Sequence, residues 1–243
     1  MKSTVIIIPT RLQAKRFPNK PLAKINNIPM IIHVMNKAKE SSVGEVLVAT
    51  PDQEIINLVK KNGGQAILTK HEHLSGSDRV FEAYLKFFKD QADLIINLQG
   101  DMPNIQPNSI SKLEKLMRNN KCDIGTLSSA IKHKEEHDDI NIVKLQVDKD
   151  LTDNDFLNVR DFFRKSDALN VKKIYHHVGI YAFTSTALKK YVQLSRSKLE
   201  IERNLEQMRA MENNMTIKTG LIDSYPLGVD TDKDLEKVAK EMT

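Results

Sequence analysis

The chain has 243 residues, of which 40% are hydrophobic and 28% are charged; this suffices for one large α/β core and is ordinary for a soluble protein. No run approaches the roughly 20 apolar residues that cross a bilayer, and no signal-peptide pattern opens the sequence, so we expect a cytoplasmic protein that does not bind membranes. The net charge of +5 lies on scattered lysines and aromatic residues make up only 5%, so we do not expect nucleic acid as a partner.

The cysteine and histidine residues, which often bind metals or act as nucleophiles, do not by themselves indicate a functional site. Cys122 is the single cysteine, which excludes an intrachain disulfide and fits a reducing compartment. Nothing near it would form a Cys–His pair, so we interpret Cys122 as a packing residue. His71 and His73 could make a metal pair, but a solvated loop is the simpler interpretation.

The first half of the chain alternates between short apolar runs and amphipathic segments. Residues 5–8 are β-branched and predict a strand buried on both faces, which ends at Pro9 because proline cannot donate to a sheet ladder. The same patterns predict further strands at residues 45–50, 66–69 and 93–98, and helices at about residues 29–40, 52–62, 80–88 and 107–119. This fourfold alternation predicts a mostly parallel sheet with right-handed crossovers.

After Cys122 the pattern changes to one typical of a mixed sheet with an antiparallel excursion. Strands are predicted at residues 124–130, 142–147, 155–159, 173–183 and 215–222, and helices at residues 185–194, 197–213 and from 232 onward. No internal repeat or low-complexity linker separates the halves. We therefore predict a single domain over residues 1–243, with an inserted lobe at about residues 131–200.

A basic loop follows the first strand and contains no acidic residue. Its cations are Arg11, Lys15, Arg16 and Lys20. Open α/β sheets bind anionic ligands beyond the carboxyl ends of their strands, so this loop is a candidate anion site. A solvated basic turn is the alternative.

Two acidic residues also follow predicted strands. Asp101 comes directly after Gln99 and Gly100, and Asp230 follows Gly228 and Val229. Two carboxylates from separate strand ends, facing the basic loop, would fit one Mg²⁺ held against a nucleoside triphosphate. Loop capping by Asp101 and helix capping by Asp230 are the alternatives.

Seven segments, in order along the chain, resemble the 3-deoxy-manno-octulosonate (Kdo) cytidylyltransferases, which make CMP-Kdo for lipopolysaccharide. The segments are residues 5–22 (VIIIPTRLQAKRFPNKPL), 75–79 (SGSDR), 98–101 (LQGD), 143–144 (VK), 177–181 (HVGIY), 205–209 (LEQMR) and 228–231 (GVDT). The resemblance covers nearly the whole chain, and the ordered set is far more specific than any one segment.

This resemblance implies a nucleotide-diphospho-sugar transferase fold, a Rossmann-like mixed α/β sheet with a smaller antiparallel lobe for sugar binding and dimerisation. It implies a homodimer that uses CTP and Mg²⁺, in which the anomeric hydroxyl of Kdo attacks the α-phosphate of CTP and pyrophosphate leaves. Arg11, Arg16 and Lys20 would hold the triphosphate and, with Asp101, form the catalytic set. Asp101 and Asp230 would carry Mg²⁺.

The resemblance also implies two binding sets. The nucleotide would be bound by Pro9, Thr10, Arg11, Lys20, Ser75, Gly76, Arg79 and Gln99. The sugar would be bound by Gln99, Arg160, His177, Tyr181, Glu206 and Gln207.

The chain departs from the family pattern beside the predicted metal site and on the sugar side. Met102 and Arg203 stand where the family usually has Glu, Pro51 replaces the first of an Asp pair, and Asn19 replaces a Gly. A related acidic sugar, 8-amino-Kdo or a nonulosonic acid, is therefore an alternative acceptor. A non-catalytic CTP-binding protein is the alternative from another class, and a guanylyltransferase of similar fold is less favoured.

Overall fold

The structure is a computed structural model that describes residues 3–13, 16–132, 135–165 and 173–242. Lys15 of the basic loop lies outside the described residues. The chain divides into two compact units: unit 1 comprises Met1–Ser111 and Pro226–Thr243, and unit 2 comprises Lys112–Tyr225. Unit 2 extends beyond the predicted lobe at both ends, because the strands on either side of that lobe pair with strands inside it.

The elements of the described residues follow in chain order. The strands are β1 (Thr4–Pro9), β2 (Lys24–Ile25), β3 (Ile28–Pro29), β4 (Glu45–Thr50), β5 (Gln65–Leu68), β6 (Leu94–Leu98), β7 (Ile124–Ser129), β8 (Lys144–Val147), β9 (Leu157–Phe163), β10 (Ile174–Thr184) and β11 (Ile217–Ile222). The α-helices are α1 (Met30–Glu40), α2 (Gln53–Lys61), α3 (Gly76–Ala83), α4 (Pro107–Asn119), α5 (Glu135–Asp138), α6 (Ser185–Gln193), α7 (Lys198–Arg203), α8 (Met208–Glu212) and α9 (Asp232–Glu241). A 3₁₀ turn covers Lys20–Leu22 and a π-helical turn covers Tyr84–Phe88.

Unit 1 contains a parallel sheet in the order β5-β4-β1-β6. Every residue of β1 is buried and the strand ends at Pro9, as the sequence predicts. One face of α1 is buried as well, and α1 confirms the helix predicted at about residues 29–40. Parallel strands deliver their following loops to one edge of a sheet, so the loops after β1 and β6 share that edge.

The C-terminal segment is packed into unit 1 through a small apolar cluster. Val229 and Val238 are fully buried against Ile25 and Met30. The partly buried residues packed on this cluster are Phe17, Leu227, Leu235, Ala239 and Met242. Burial of these side chains brings the segment that carries Asp230 to the basic loop, because Phe17 belongs to that loop.

Unit 2 is built on a mixed sheet. β10 pairs antiparallel with β7 and β8, β7 pairs parallel with β11, and β9 pairs antiparallel with β11 and β8. His176 and His177 are adjacent on β10, so their side chains point to opposite faces. Their contacts differ accordingly: His176 lies against the ring of Tyr225, and His177 lies against the rings of Phe162 and Tyr181.

Several local features differ from the predictions. The helix predicted over residues 197–213 is two helices, because Asn204 has φ 52° and ends α7 in a left-handed conformation. The strand predicted at residues 155–159 begins at Leu157 and runs to Phe163. Residues 24–29 form a two-stranded ribbon that the pattern analysis missed.

No helix in the part of the chain that the structure describes is long and apolar enough to cross a membrane.

Candidate functional site

The basic loop and both predicted metal ligands meet in unit 1. The ammonium nitrogen of Lys20 lies 2.9 Å from Asp101 Oδ2 and 3.2 Å from Asp230 Oδ1. Arg16 Nη2 lies 2.9 Å from Asp230 Oδ2. We call Arg16, Lys20, Asp101 and Asp230 the Lys20 cluster. The structure thus brings together four residues that the sequence places at three distant positions.

Backbone contacts hold the three segments of this cluster in place. The N–H of Val229 donates to the carbonyl of Asp101 at 2.9 Å, which joins the segment before α9 to the loop after β6. At Gly100 a Cβ atom would lie 3.2 Å from the carbonyl oxygen of Pro9 and 3.2 Å from Thr10 Cβ. The glycine therefore lets the loop after β6 approach the end of β1 closely.

The Lys20 ammonium is stabilised by its two carboxylates. Burial of the side chain disfavours the charged form, but the carboxylates of Asp101 and Asp230 outweigh it and raise the pKa of Lys20. The Lys20 side chain is only 15% exposed. Lys20 is therefore a fixed positive charge at neutral pH.

The donor set of this cluster fits a divalent cation of the Mg²⁺ type. Asp101 and Asp230 offer carboxylate oxygens, which are the hard ligands that Mg²⁺ prefers, and they already converge on one cationic atom, Lys20 Nζ. No group of three or more His, Cys, Asp or Glu side chains that could hold a metal occurs among the described residues. Two carboxylates suffice where substrate phosphates and water complete the coordination.

Asp52 holds the start of the basic loop, a role that the sequence analysis missed. Its Oδ2 atom accepts a hydrogen bond from the N–H of Leu12 at 2.8 Å. Leu12 follows Arg11, so this bond fixes the backbone beside a predicted catalytic cation. Asp52 is the remaining member of the Asp pair whose first position is Pro51 in this chain, and no local pattern connects it with a loop 40 positions earlier.

The predicted nucleotide residues of unit 1 also lie together. A Cβ atom at Gly76 would lie 3.6 Å from Gln99 Oε1 and 3.6 Å from Pro9 Cγ, so these three residues are in contact distance. Ser75 caps α3, because its Oγ atom accepts the N–H of Asp78 at 3.1 Å. Gln99 donates from Nε2 to Asn97 at 2.9 Å, which orients its amide.

Arg79 is predicted to bind the nucleotide, and the structure places it in the interior of unit 1. The residue is 3% exposed. Its Nη1 atom donates to Thr69 Oγ1 and, at 2.9 Å, to the carbonyl of Lys70. Its guanidinium thus forms hydrogen bonds to Thr69 and Lys70 within the protein.

In unit 2, His177 lies in a buried aromatic setting. Its Nε2 atom is 3.1 Å from Thr126 Oγ1, and its ring packs edge-on against Phe162 at 5.1 Å between centroids. The Tyr181 ring is 5.4 Å away. Burial lowers the pKa of His177 to about 3, so His177 is neutral at physiological pH and can orient a ligand through hydrogen bonds rather than charge.

The predicted sugar residues Tyr181 and Glu206 lie near each other. Burial and the nearby Glu206 carboxylate raise the pKa of Tyr181 well above its usual value. Glu206 is held by Tyr191, whose hydroxyl donates to the Glu206 carbonyl at 2.8 Å. Gln207 follows Glu206 and is buried.

Arg160 makes its contacts elsewhere in unit 2. Its Nε atom lies 2.8 Å from Asp148 Oδ1, and the Arg160 side chain is 58% exposed. A sugar contact by Arg160 would require this exposed pair to open.

Comparison with known proteins identifies the family. A family model described as cytidylyltransferase matches residues 5–217. The 3-deoxy-manno-octulosonate cytidylyltransferase of Bartonella tribocorum is 41% identical over 237 residues, which are 97% of this chain and 97% of that protein. The chain belongs to the Kdo cytidylyltransferase family.

Other members and a solved structure agree with this assignment. The Kdo cytidylyltransferase of Rhizobium etli is 39% identical over 237 residues, covering 97% of this chain and 94% of that protein. The structure of a CMP:2-keto-3-deoxy-manno-octonic acid synthetase in complex with CTP is 36% identical, has a TM-score of 0.89, and covers 99% and 98% of the two chains. The family and the fold class predicted from the sequence are confirmed.

A more distant structure shows the fold alone. The 4-diphosphocytidyl-2C-methyl-D-erythritol synthase of Anaerococcus prevotii has a TM-score of 0.67 at 14% identity, covering 99% of this chain and 98% of that one. The individual roles of the site residues remain predictions.

The structure shows the surroundings of three departures from the Kdo cytidylyltransferase pattern, Arg203, Met102 and Asn19. Arg203 donates from Nη1 to Asp161 at 2.5 Å and to the carbonyl of Phe162 at 2.7 Å. Its charge is therefore balanced within unit 2. Met102, in the loop after β6, is 4% exposed and part of the core. Asn19 adopts φ 58°, the left-handed conformation that the family glycine would supply.

Proposed function

We propose that the protein transfers CMP from CTP to the anomeric hydroxyl of Kdo, releasing pyrophosphate and giving CMP-Kdo for lipopolysaccharide biosynthesis. The observation that carries this proposal is the Lys20 cluster in a chain whose relatives are named Kdo cytidylyltransferases. A related solved protein was crystallised with CTP, which supports CTP as the nucleotide.

The chemistry requires little covalent help from the protein. The anomeric oxygen of the sugar forms a bond to the α-phosphorus, and the bond from that phosphorus to the bridging oxygen breaks. Pyrophosphate takes the electron pair of the broken bond, and the proton of the hydroxyl passes to solvent water. Such a transfer depends on positioning and on stabilising the charge of the phosphoryl oxygens. Arg11, Arg16 and Lys20 provide cations for the triphosphate, and Asp52 fixes the backbone beside Arg11.

We further propose that Mg²⁺ is the cofactor and that Asp101 and Asp230 would hold it. When bound, the ion would polarise phosphate oxygens and help to align the reacting groups. The chain itself contributes the fixed charge of Lys20 between those carboxylates. The Val229–Asp101 backbone bond keeps the two acidic segments together.

Binding of the two substrates is assigned to two residue sets that share Gln99. In unit 1, the contact of Gly76 with Pro9 and Gln99 offers backbone and amide groups for the nucleoside. In unit 2, neutral His177 and the pair Tyr181 and Glu206 would bind the hydroxyl-rich sugar. A homodimer and a cytoplasmic location complete the proposal.

Replacement of either acidic residue should abolish turnover. Asp101→Asn or Asp230→Asn removes a carboxylate charge from the Lys20 cluster, and we expect Mg²⁺-dependent pyrophosphate release from CTP plus Kdo to disappear. Asp232→Asn is the matched control, because Asp232 is exposed two positions farther along and should retain wild-type release. Near-wild-type release by either cluster variant would contradict the metal assignment.

A substrate panel tests specificity. Pyrophosphate release is measured with CTP, UTP, GTP and ATP, each against Kdo, 8-amino-Kdo and sialic acid. We expect release with CTP and Kdo; equal rates with all four nucleotides would contradict cytidine specificity. Preference for 8-amino-Kdo or sialic acid would instead support the alternative acceptors suggested by Arg203, and CTP binding without release would support a non-catalytic protein.

A further inference from the structure

Two oppositely charged side chains of α3 bind the segment that precedes Ser75 and Gly76, two residues predicted to bind the nucleotide. The segment covers residues 69–74 and leads from the end of β5 to Ser75 and Gly76. Arg79 and Glu82 are three positions apart on α3, so they lie on the same face of that helix. Their hydrogen bonds are directed to this segment rather than to solvent.

Glu82 binds the segment at two points. Its Oε2 atom accepts the backbone N–H of Lys70 at 3.0 Å and also contacts His73 Nε2. The Glu82 side chain is 12% exposed. Burial disfavours the carboxylate, but hydrogen bonds from Lys86, His73 and Lys70 outweigh it and lower the pKa of Glu82 to about 2. Glu82 is therefore a charged acceptor under physiological conditions.

Arg79 binds the backbone carbonyl of Lys70, the residue whose N–H Glu82 accepts. It donates to this carbonyl and to the hydroxyl of Thr69. Both the N–H and the C=O of Lys70 are thus held by charged side chains of α3. Charge-assisted bonds of this kind are stronger than neutral ones, so the segment has one well-defined position.

The position of residues 69–74 bears on where Ser75 and Gly76 lie. Ser75 is the N-cap residue of α3, and Gly76 is in contact distance of Pro9 and Gln99. A displacement of the preceding segment would move this contact, and a shift of about 1 Å at a binding site is costly.

We propose that Glu82, His73 and Arg79 are positioning residues for nucleotide binding, which act by fixing Ser75 and Gly76 against Pro9 and Gln99. Arg79 acts through Thr69 and Lys70 instead of contacting the nucleotide. The inference rests on the proposed function, because it concerns the CTP site of that reaction.

Calorimetric titration of CTP into the full-length protein, without acceptor sugar, tests the proposal. Glu82→Gln replaces the charged acceptor of the Lys70 N–H and of His73 by a neutral amide oxygen, and Thr69→Val removes the hydroxyl partner of Arg79 while leaving Arg79 unchanged. We expect each to weaken CTP binding by about tenfold. His73→Ala tests the loop side of the contact and should weaken binding in the same direction.

Lys86→Met is the matched control. Lys86 lies 2.5 Å from Glu82 Oε1 and is 50% exposed, so this change removes an ion pair from Glu82 without touching its bonds to Lys70 and His73. We expect CTP affinity within twofold of wild type. In steady-state assays, Glu82→Gln and Thr69→Val should raise KM for CTP and leave kcat and KM for Kdo within about threefold.

The outcomes separate this inference from the proposed function. Failure of the wild-type protein to bind CTP would overturn both. Wild-type CTP binding together with unchanged affinity in folded Thr69→Val and His73→Ala, judged by circular dichroism, would overturn only the positioning role. An equal rise in KM for CTP and in KM for Kdo would also contradict the positioning role, because that pattern indicates general destabilisation.

Discussion

The buried ion pair between Glu200 and Arg209 should contribute strongly to the stability of unit 2. Both side chains are 4% exposed. Arg209 donates from Nε and Nη2 to the two oxygens of Glu200 at 2.8 and 2.7 Å, a bidentate geometry. Glu200 also accepts the N–H of Ser197 in the capping box that begins α7. We predict that Glu200→Ala is severely destabilising.

The expected magnitude follows from two losses. Removing one partner of a buried ion pair typically costs about 3–5 kcal/mol, because the other charge stays buried and uncompensated. Loss of the reciprocal cap adds about 1 kcal/mol. We therefore expect the free energy of unfolding to fall by about 4–6 kcal/mol and the Tm to fall by roughly 10 °C or more.

Urea unfolding followed by circular dichroism measures the change, and Glu202→Ala is its control. Glu202 lies on the same helix, is 52% exposed and is 3.7 Å from Lys198, so its loss should cost less than about 0.5 kcal/mol. The double variant Glu200→Met with Arg209→Met should recover part of the lost stability. A loss below about 1 kcal/mol for Glu200→Ala would refute the reasoning.

Two further predictions concern unfolding. Burial lowers the pKa of His177 from 6.5 to about 3, so between these two pH values His177 is protonated in the unfolded chain and neutral in the folded chain, and the folded state loses stability as the pH falls. His177→Phe should therefore remove about 3 kcal/mol of the loss in the free energy of unfolding between pH 7 and pH 4. Urea midpoints that fall equally with pH in the two proteins would contradict this. At Gly44 a Cβ atom would lie 1.9 Å from the carbonyl oxygen of Thr4, whereas at Gly179 it would have nothing within 4 Å. Gly44→Ala should therefore cost about 3 kcal/mol of the free energy of unfolding, and Gly179→Ala should leave it unchanged or raise it by up to about 1 kcal/mol, because alanine loses less backbone entropy than glycine on folding. Urea unfolding measures both, and similar losses for the two variants would disprove the steric argument.

Much of the fold could be predicted because the hydrophobic period changes clearly between strands and helices. The predictions for β1, β4 and α4 agree with the structure to within one residue, since a proline marks one boundary of each: Pro9, Pro51 and Pro107. The break at Asn204 could not be predicted, because an asparagine within a helical pattern signals a left-handed residue only weakly. The ribbon at residues 24–29 is too short for a periodic signal.

The candidate site was predictable where strand ends dictate it. Asp101 and Asp230 were expected to face the basic loop, and Lys20 contacts both. The sequence did not indicate that Arg79 would engage Thr69 or that Arg203 would pair with Asp161. Such contacts join side chains that are remote or on different elements, so only the three-dimensional arrangement shows them.

The hydrogen bond between Lys20 and Asp230 joins residues 210 positions apart, so the ribosome synthesises Lys20 long before its partner Asp230. Chains emerge from the N-terminus, and compact segments generally fold as they appear. Unit 2 is one continuous stretch, whereas unit 1 lacks its second segment, Pro226–Thr243, until unit 2 has been synthesised. The unit that is synthesised first is therefore completed last, and a nascent chain carries its basic loop without the acidic partner Asp230. The Lys20 cluster, and with it the proposed capacity to hold a triphosphate, can therefore form only after the segment that carries Asp230 has been synthesised.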